Sequence, residues 1–265
     1  MPHSQLREFL DIRIKDGVVR RMIDKWLKAG VLEGGTLSRT DTGTPQGGVI
    51  SPLIANYYLH HVLDKWFTEV VQPRLRQRSS LVRYADDFVL TFADAGDGQR
   101  VLRVLGKRLG RYGLQLHPVK TSFVDMRRPC GKRGRAAHTT FDFLGFTHVW
   151  ARSRRGWWVL RQYTARKRYA RGLKEVARWC KKHRHKSLTE QQARLASVIR
   201  GHCNYYGQTG NGRRLTRFRS EVVGIWRKWL SRRSRTSRVS WKRMKEILRE
   251  HPLPSARVVH SIYAT

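Results

Sequence analysis

The sequence predicts an α+β fold: a small antiparallel sheet with its helices comes first, and an all-helical part follows. Three observations carry that expectation. Up to residue 150, helical periodicity alternates with short β-branched and aromatic runs, whereas beyond residue 164 the apolar spacing is helical throughout. Charge is divided just as unevenly, with 24 basic and 14 acidic side chains in residues 1–150 against 31 and 5 in residues 151–265. The 265 residues are 40% apolar, enough for a packed core. A boundary at 150/151 separates parts of net charge +10 and +26.

Each element has a local reason. GVVRRMIDKWLKA, residues 17–29, brings Val18, Met22, Ile23, Trp26 and Leu27 near one helical face, and Gly30 stops that helix. VLEGGTLSRT reads as a hairpin about its Gly-Gly pair. After TGTPQGGVISP, the run LIANYYLHHVLDKWFTEVV repeats apolar residues every three to four positions, which predicts a long, substantially buried helix. LVRYADDFVLTF, residues 81–92, is expected to form two short strands joined tightly at Asp86 and Asp87. RVLRVLGKRLGRYG is a basic amphipathic helix closed by Gly113, LQLHPVKTSFVDM reads as extended, and PCGKRGRAAHTT is a glycine-rich basic loop. FDFLGF and WWVLRQY are aromatic strands, the second hairpin turning at 153–156. Helices are predicted near 164–183, 188–207, 213–232 and 240–250.

A formal charge of +36 and a pI near 11.5 make a polyanion the expected partner, because one would relieve the chain's self-repulsion. No apolar run reaches spanning length and no signal-peptide core is visible, so no membrane partner and a cytoplasmic location are expected. Cys130, Cys180 and Cys203 are too few and too far apart for a zinc site or a disulfide framework, and read as reduced thiols.

Adjacent carboxylates in an otherwise strand-like run repel each other and are costly to bury without a counter-charge. At a tight turn they present hard oxygen ligands suited to Mg²⁺, with Mn²⁺ as a substitute, and substrate phosphates can complete the shell. Two such ions support phosphoryl transfer in polymerases and nucleases alike. An Asp-Asp pair in a surface turn is also common, so the neighbouring motifs decide.

TPQGG with SPLIAN (44–56), YADDF (84–88), GLQLHPVKT (113–121) and FDFLGF (141–146) occur in the order of motifs B to E of reverse transcriptases, and the set resembles the bacterial group II intron type, the maturases. RGHCNYYGQTG (200–210) resembles the helical thumb, or maturase domain, of that family. The resemblance implies a partial polymerase palm over 1–150 and a basic hairpin with a helical thumb over 151–265. It makes Asp86 and Asp87 the metal-binding catalytic pair and Lys120 a catalytic lysine beside the triphosphate. Pro45, Gln46, Gly47, Gly48 and Ala85 would line the nucleotide and template, and Leu144 and Gly145 would turn against the primer. Arg166, Lys167, Arg168, Arg213, Arg214 and Tyr205 would contact nucleic acid, the cations through phosphates rather than bases. Core packing is the competing expectation for Tyr205 and for Phe141, Phe143 and Phe146.

The implied activity is RNA-directed DNA polymerisation, with RNA template or intron RNA, primer DNA and deoxynucleotides as partners. One departure matters. MPHSQL at 1–6 matches the helix start that follows motif A in the family, so the motif A aspartate would precede Met1, and Asp11 and Asp16 lie beyond the matching position. The expectation is therefore an N-terminally truncated enzyme, inactive alone, with a fingers fragment as a further partner. The alternative is a non-catalytic module that binds intron RNA in splicing.

Overall fold

The computed structural model describes residues 1–28, 31–33, 36–38, 50–129, 139–153, 155–234 and 238–261. The chain divides into two compact units, Met1–Phe123 and Val124–Thr265. The boundary expected at 150/151 falls inside the strand Phe146–Arg152, which is paired on both sides, whereas this division falls at 123/124.

The first unit opens with α1 (His3–Arg13) and α2 (Gly17–Lys28), followed by the antiparallel pair β1 (Val31–Glu33) and β2 (Thr36–Ser38). Helix α3 (Ser51–Leu59) begins with Pro52 in its first turn, where a missing N–H costs nothing. It continues from His60 to Val71 as a π-helix, which the three-to-four spacing does not foretell. Val62, Trp66, Phe67 and Val71 of this segment are buried. Strands β3 (Ser79–Tyr84) and β4 (Asp87–Phe92) form an antiparallel hairpin, and Leu81, Phe88, Leu90 and Phe92 pack on a core that includes Leu6, Tyr58, Val62, Phe67 and Leu105. Full burial of such a side chain contributes about 1.5–3 kcal/mol.

Helix α4 (Ala95–Arg111) starts where Asp94 accepts a bond from Asp97 N at 2.7 Å and ends before Gly113, whose φ of 64° turns the chain away. The buried Asp97 carboxylate accepts the backbone N–H groups of Arg76 (2.8 Å) and Gln77 (3.3 Å) and pairs with Arg100, tying the approach to β3 onto α4. Beyond Gly113 the expected extended segment is not a strand. His117 O accepts the N–H groups of Lys120 (3.2 Å) and Thr121 (2.9 Å) in a turn at 118–120, and Pro118 has no N–H to offer a ladder.

The second unit pairs β5 (Phe141–Phe143), β6 (Phe146–Arg152) and β7 (Trp158–Thr164) in an antiparallel sheet of that order. The turn expected at 153–156 is present, with Gly156 at φ 79°. Helices α5 (Arg166–Lys182), α6 (Leu188–Tyr206), α7 (Gly212–Leu230) and α8 (Trp241–Glu250) follow within about three residues of their expected bounds. Ser187 and Glu190 form a reciprocal capping box at α6. The core gathers Val176, Leu195, Ile199, Phe218, Val222, Trp226 and Met244. Trp226 Nε1 donates to Gln191 Oε1 at 2.8 Å, while Gln191 Nε2 donates to the carbonyls of Arg184 and Lys186, so this buried amide is satisfied. Cys180 and Cys203 are buried free thiols, and burial pushes Cys180 up to about 12.

Candidate functional site

The register of β3 and β4 pairs Tyr84 with Asp87, which leaves Ala85 and Asp86 as a two-residue loop. Ala85 takes a φ of 53°, the left-handed geometry that lets so short a loop reverse the chain. Asp86 and Asp87 are both exposed, and among the described residues neither is paired with a lysine or arginine. The nearest arginine in sequence is engaged elsewhere. Arg83 Nε and Nη2 each donate to the Asp64 carboxylate at 2.7 Å, and Nη1 donates to Asn56 Oδ1 at 2.8 Å and to Ala85 O at 2.9 Å. Partial burial pushes Asp64 up, but the Arg83 guanidinium outweighs it and holds that carboxyl below the usual range.

Asp86 and Asp87 offer hard oxygen donors open to solvent, which suits Mg²⁺ in type and access. Among the described residues there is no group of three His, Cys, Asp or Glu able to hold a metal. The pair therefore fits an ion whose remaining ligands come from water, substrate phosphate or another carboxylate.

In the second unit, Leu144 (φ 49°) and Gly145 (φ 80°) form the β5–β6 loop, both residues left-handed as in a type I′ turn. Tyr205 Oη donates to Leu144 O at 3.0 Å, and Ala165 N donates to Gly145 O at 2.8 Å. The Tyr205 ring stacks on Phe146 at 5.8 Å, and a Cβ at Gly145 would stand 3.0 Å from Tyr206 Oη, so helix α6 braces this turn closely. The N-termini of α5 and α7 meet at Asn211, which is fully buried: its Oδ1 accepts Thr164 N at 3.3 Å and its Nδ2 donates to Thr164 Oγ1 at 2.9 Å and to Tyr206 O at 2.8 Å. Arg166, Lys167 and Arg168 on α5 and Arg213 on α7 are exposed around this junction, at helix ends that favour anions. Arg214 is partly spent, donating to Thr164 O at 2.9 Å with its guanidinium 5.3 Å from the Tyr163 ring centre.

Comparison with known proteins supports the family resemblance. The family described as reverse transcriptase (RNA-dependent DNA polymerase) matches residues 2–148. The chain belongs to this reverse transcriptase family. Group II intron-encoded protein LtrA of Lactococcus lactis is 46% identical over 68 residues, covering 26% of this chain and 11% of LtrA. Protein YkfC of Escherichia coli is 34% identical over 116 residues, 33% of this chain and 30% of YkfC. The telomerase reverse transcriptase of Takifugu rubripes is 29% identical over 122 residues, 44% of this chain and 11% of that protein. The chain thus spans about a tenth to a third of the length of these relatives.

For this reverse transcriptase chain, the structure gathers Ala85, Asp86 and Asp87 in one turn, Leu144 and Gly145 in a second, and four predicted phosphate-binding side chains at one helix junction. Pro45, Gln46, Gly47 and Gly48 lie outside the described residues. Lys120 is exposed in the turn after α4 and, among the described residues, makes no hydrogen bond with the carboxylate pair. Tyr205 donates to the Leu144 carbonyl and stacks on Phe146 while the residue remains 54% exposed, so it braces the turn from an exposed position. Sequence reasoning missed Arg83, Asp64 and Asn56. The available signal was an arginine beside the aspartate pair, but its partner stands 19 residues earlier on a helix. Among the described residues, no helix is long and apolar enough to cross a membrane.

Proposed function

We propose that this chain provides the carboxylate turn and the RNA-gripping helices of an RNA-directed DNA polymerase of the group II intron type, which adds deoxynucleotides to a primer 3′-OH on an RNA template. The observation that supports it most is the pair Asp86 and Asp87, exposed at a braced hairpin turn without a protein counter-charge among the described residues. Mg²⁺ bound there would supply charge stabilisation to the attacking and leaving oxygens of phosphoryl transfer. Asp86 and Asp87 would hold the ion, and the small Ala85 would leave room for the primer end. The Leu144–Gly145 turn meets the primer backbone, while Arg166, Lys167, Arg168 and Arg213 follow phosphates.

A second reading, an intron-RNA-binding module without polymerase activity, is favoured by the charge of the helical unit, in which residues 124–265 hold 36 basic and 7 acidic side chains. Primer extension on an RNA template, with a fingers and motif A fragment of the family supplied in trans, and RNA affinity, measured together, separate the two. Under the polymerase reading, Asp86→Asn abolishes Mg²⁺-dependent extension and leaves RNA affinity within about twofold, because a single carboxylate removes few phosphate contacts. RNA binding with no extension, and no metal bound at 84–88, selects the binding module.

A further inference from the structure

Strand β3 alternates half-buried and exposed positions, and Arg83 occupies an inward one, on the same face as Leu81. Its side chain is only 12% exposed. An arginine there is costly unless every direction of its planar fork finds an acceptor. It does so on three sides: the Asp64 carboxylate on the π-helical segment, Asn56 Oδ1 on α3, and the carbonyl of Ala85. The carbonyl bond matters most. Ala85 is the left-handed residue immediately before Asp86, so the group that fixes its carbonyl also fixes where the carboxylate turn stands relative to α3. Asn56 ends the SPLIAN segment, which begins directly after the VI that follows TPQGG in the sequence.

We propose that Arg83 is a positioning residue for the metal-binding turn: with Asp64 and Asn56 it clamps the Ala85–Asp86 loop to helix α3 and its π-helical continuation. The proposal rests on the polymerase reading of Asp86 and Asp87. A plain stabilising ion pair would need only Asp64, and a lysine would serve it. The clamp needs the guanidinium, because a single ammonium cannot present a bidentate pair to Asp64 while also meeting Asn56 and the Ala85 carbonyl.

The test uses the full chain, isotopically labelled, with two readouts: hydrogen exchange at residues 84–88 without metal, and paramagnetic broadening of the same amides during Mn²⁺ titration. Arg83→Lys and Arg83→Gln are both expected to speed exchange at Asp86 and Asp87 and to weaken Mn²⁺ binding about tenfold, the range for groups that orient a metal ligand. Amides in α4 and in the second unit should be unchanged. Asn56→Ala, which leaves the ion pair intact, should give a smaller loss in the same direction, and it decides the matter if the Arg83 variants do not fold. Unchanged Mn²⁺ affinity in these variants, where Asp86→Asn has lost it, overturns the clamp but spares the polymerase reading. Full recovery in Arg83→Lys also overturns it, since a point charge would then suffice. Wild-type protein without Asp86-dependent broadening overturns the metal reading, and the clamp's role with it.

Discussion

Residues 1–123 carry 19 basic and 12 acidic side chains and residues 124–265 carry 36 and 7, and the two units use their acids differently. In the first, aspartates take up arginines across the fold: Asp24 holds Arg7, Asp11 holds Arg20, and Asp64 holds Arg83. Part of the unit's charge is thus paired internally, and the turn places Asp86 and Asp87 side by side without a paired lysine or arginine among the described residues. In the second unit the helical glutamates make short-range surface pairs, Glu190 with Lys186, Glu221 with Arg217 and Glu246 with Arg243. Such exposed pairs add little stability, and 36 basic against 7 acidic side chains leave this unit with a large basic excess. The contrast is one of placement: one unit pairs acids with arginines across its fold and presents a carboxylate turn, while the other keeps its acids in short-range pairs.

The largest expected effect breaks this contrast most directly. Replacing Arg166, Lys167, Arg168 and Arg213 together by alanine should flatten the plot of log RNA affinity against log salt by about three to four units, one for each phosphate no longer neutralised. Arg214 is spared because it supports the Thr164 carbonyl. The matched change in the first unit, Arg13, Arg21, Lys25 and Lys28 to alanine, should move the slope by less than about one unit. Equal losses from the two sets would mean that total charge, rather than its placement, governs binding.

Much of this arrangement is legible in the sequence. The four helices beyond residue 164 follow from apolar periodicity, and the turn at 144–145 and a hairpin turn at the aspartates follow from short loops between β-prone runs, although the loop lies at 85–86, one residue before the expected Asp86–Asp87. The π-helical winding of residues 60–71 is not, since neighbouring apolar residues at 61–63 and 66–67 satisfy either period. Residue patterning places Lys120 on an extended segment, yet Pro118 and the His117 carbonyl make a turn there. The contacts of Arg83 are hidden for a different reason: the arginine stands just before the aspartate pair, but its partners Asp64 and Asn56 lie 19 and 27 residues earlier, where no local signal reaches.

A smaller effect concerns acid. His202 stacks on Phe218 at 3.7 Å, and burial lowers its pKa from 6.5 to about 4. The unfolded chain therefore takes up the proton first. Stability from the neutral ring is full above about pH 6.5 and is lost as pH falls from there towards about 4, where the folded form protonates as well. Burial also lowers His148 in the same unit and His61 in the first, so each unit should show some slope in this range. Denaturant unfolding followed across pH 4–7 should show the steeper slope in the second unit, and His202→Phe should flatten it while leaving the first unit's slope alone. An unchanged slope in that variant would show that the ring contributes nothing to acid sensitivity.

The smallest effect compares the two turns. Ala85 (φ 53°) and Leu144 (φ 49°) are the non-glycine residues with positive φ among the described residues. A left-handed L-residue costs about 1–2 kcal/mol, which glycine avoids, against roughly 0.4–1 kcal/mol of added unfolded-state entropy. Ala85 is exposed and has little packing to lose, so Ala85→Gly should stabilise the first unit by up to about 1 kcal/mol. Leu144 is half-buried in a turn braced by Tyr205, so Leu144→Gly gives up apolar packing and should bring no gain to the second unit. Unfolding of each variant, read separately for the two units, checks both signs. Mn²⁺ binding by Ala85→Gly adds the sharper comparison. If Arg83 fixes the Ala85 carbonyl, removing the Cβ should leave metal affinity within about twofold, since the backbone acceptor remains and only a methyl group is removed. A large loss would mean that the strained alanine itself, rather than the arginine behind it, sets the position of Asp86.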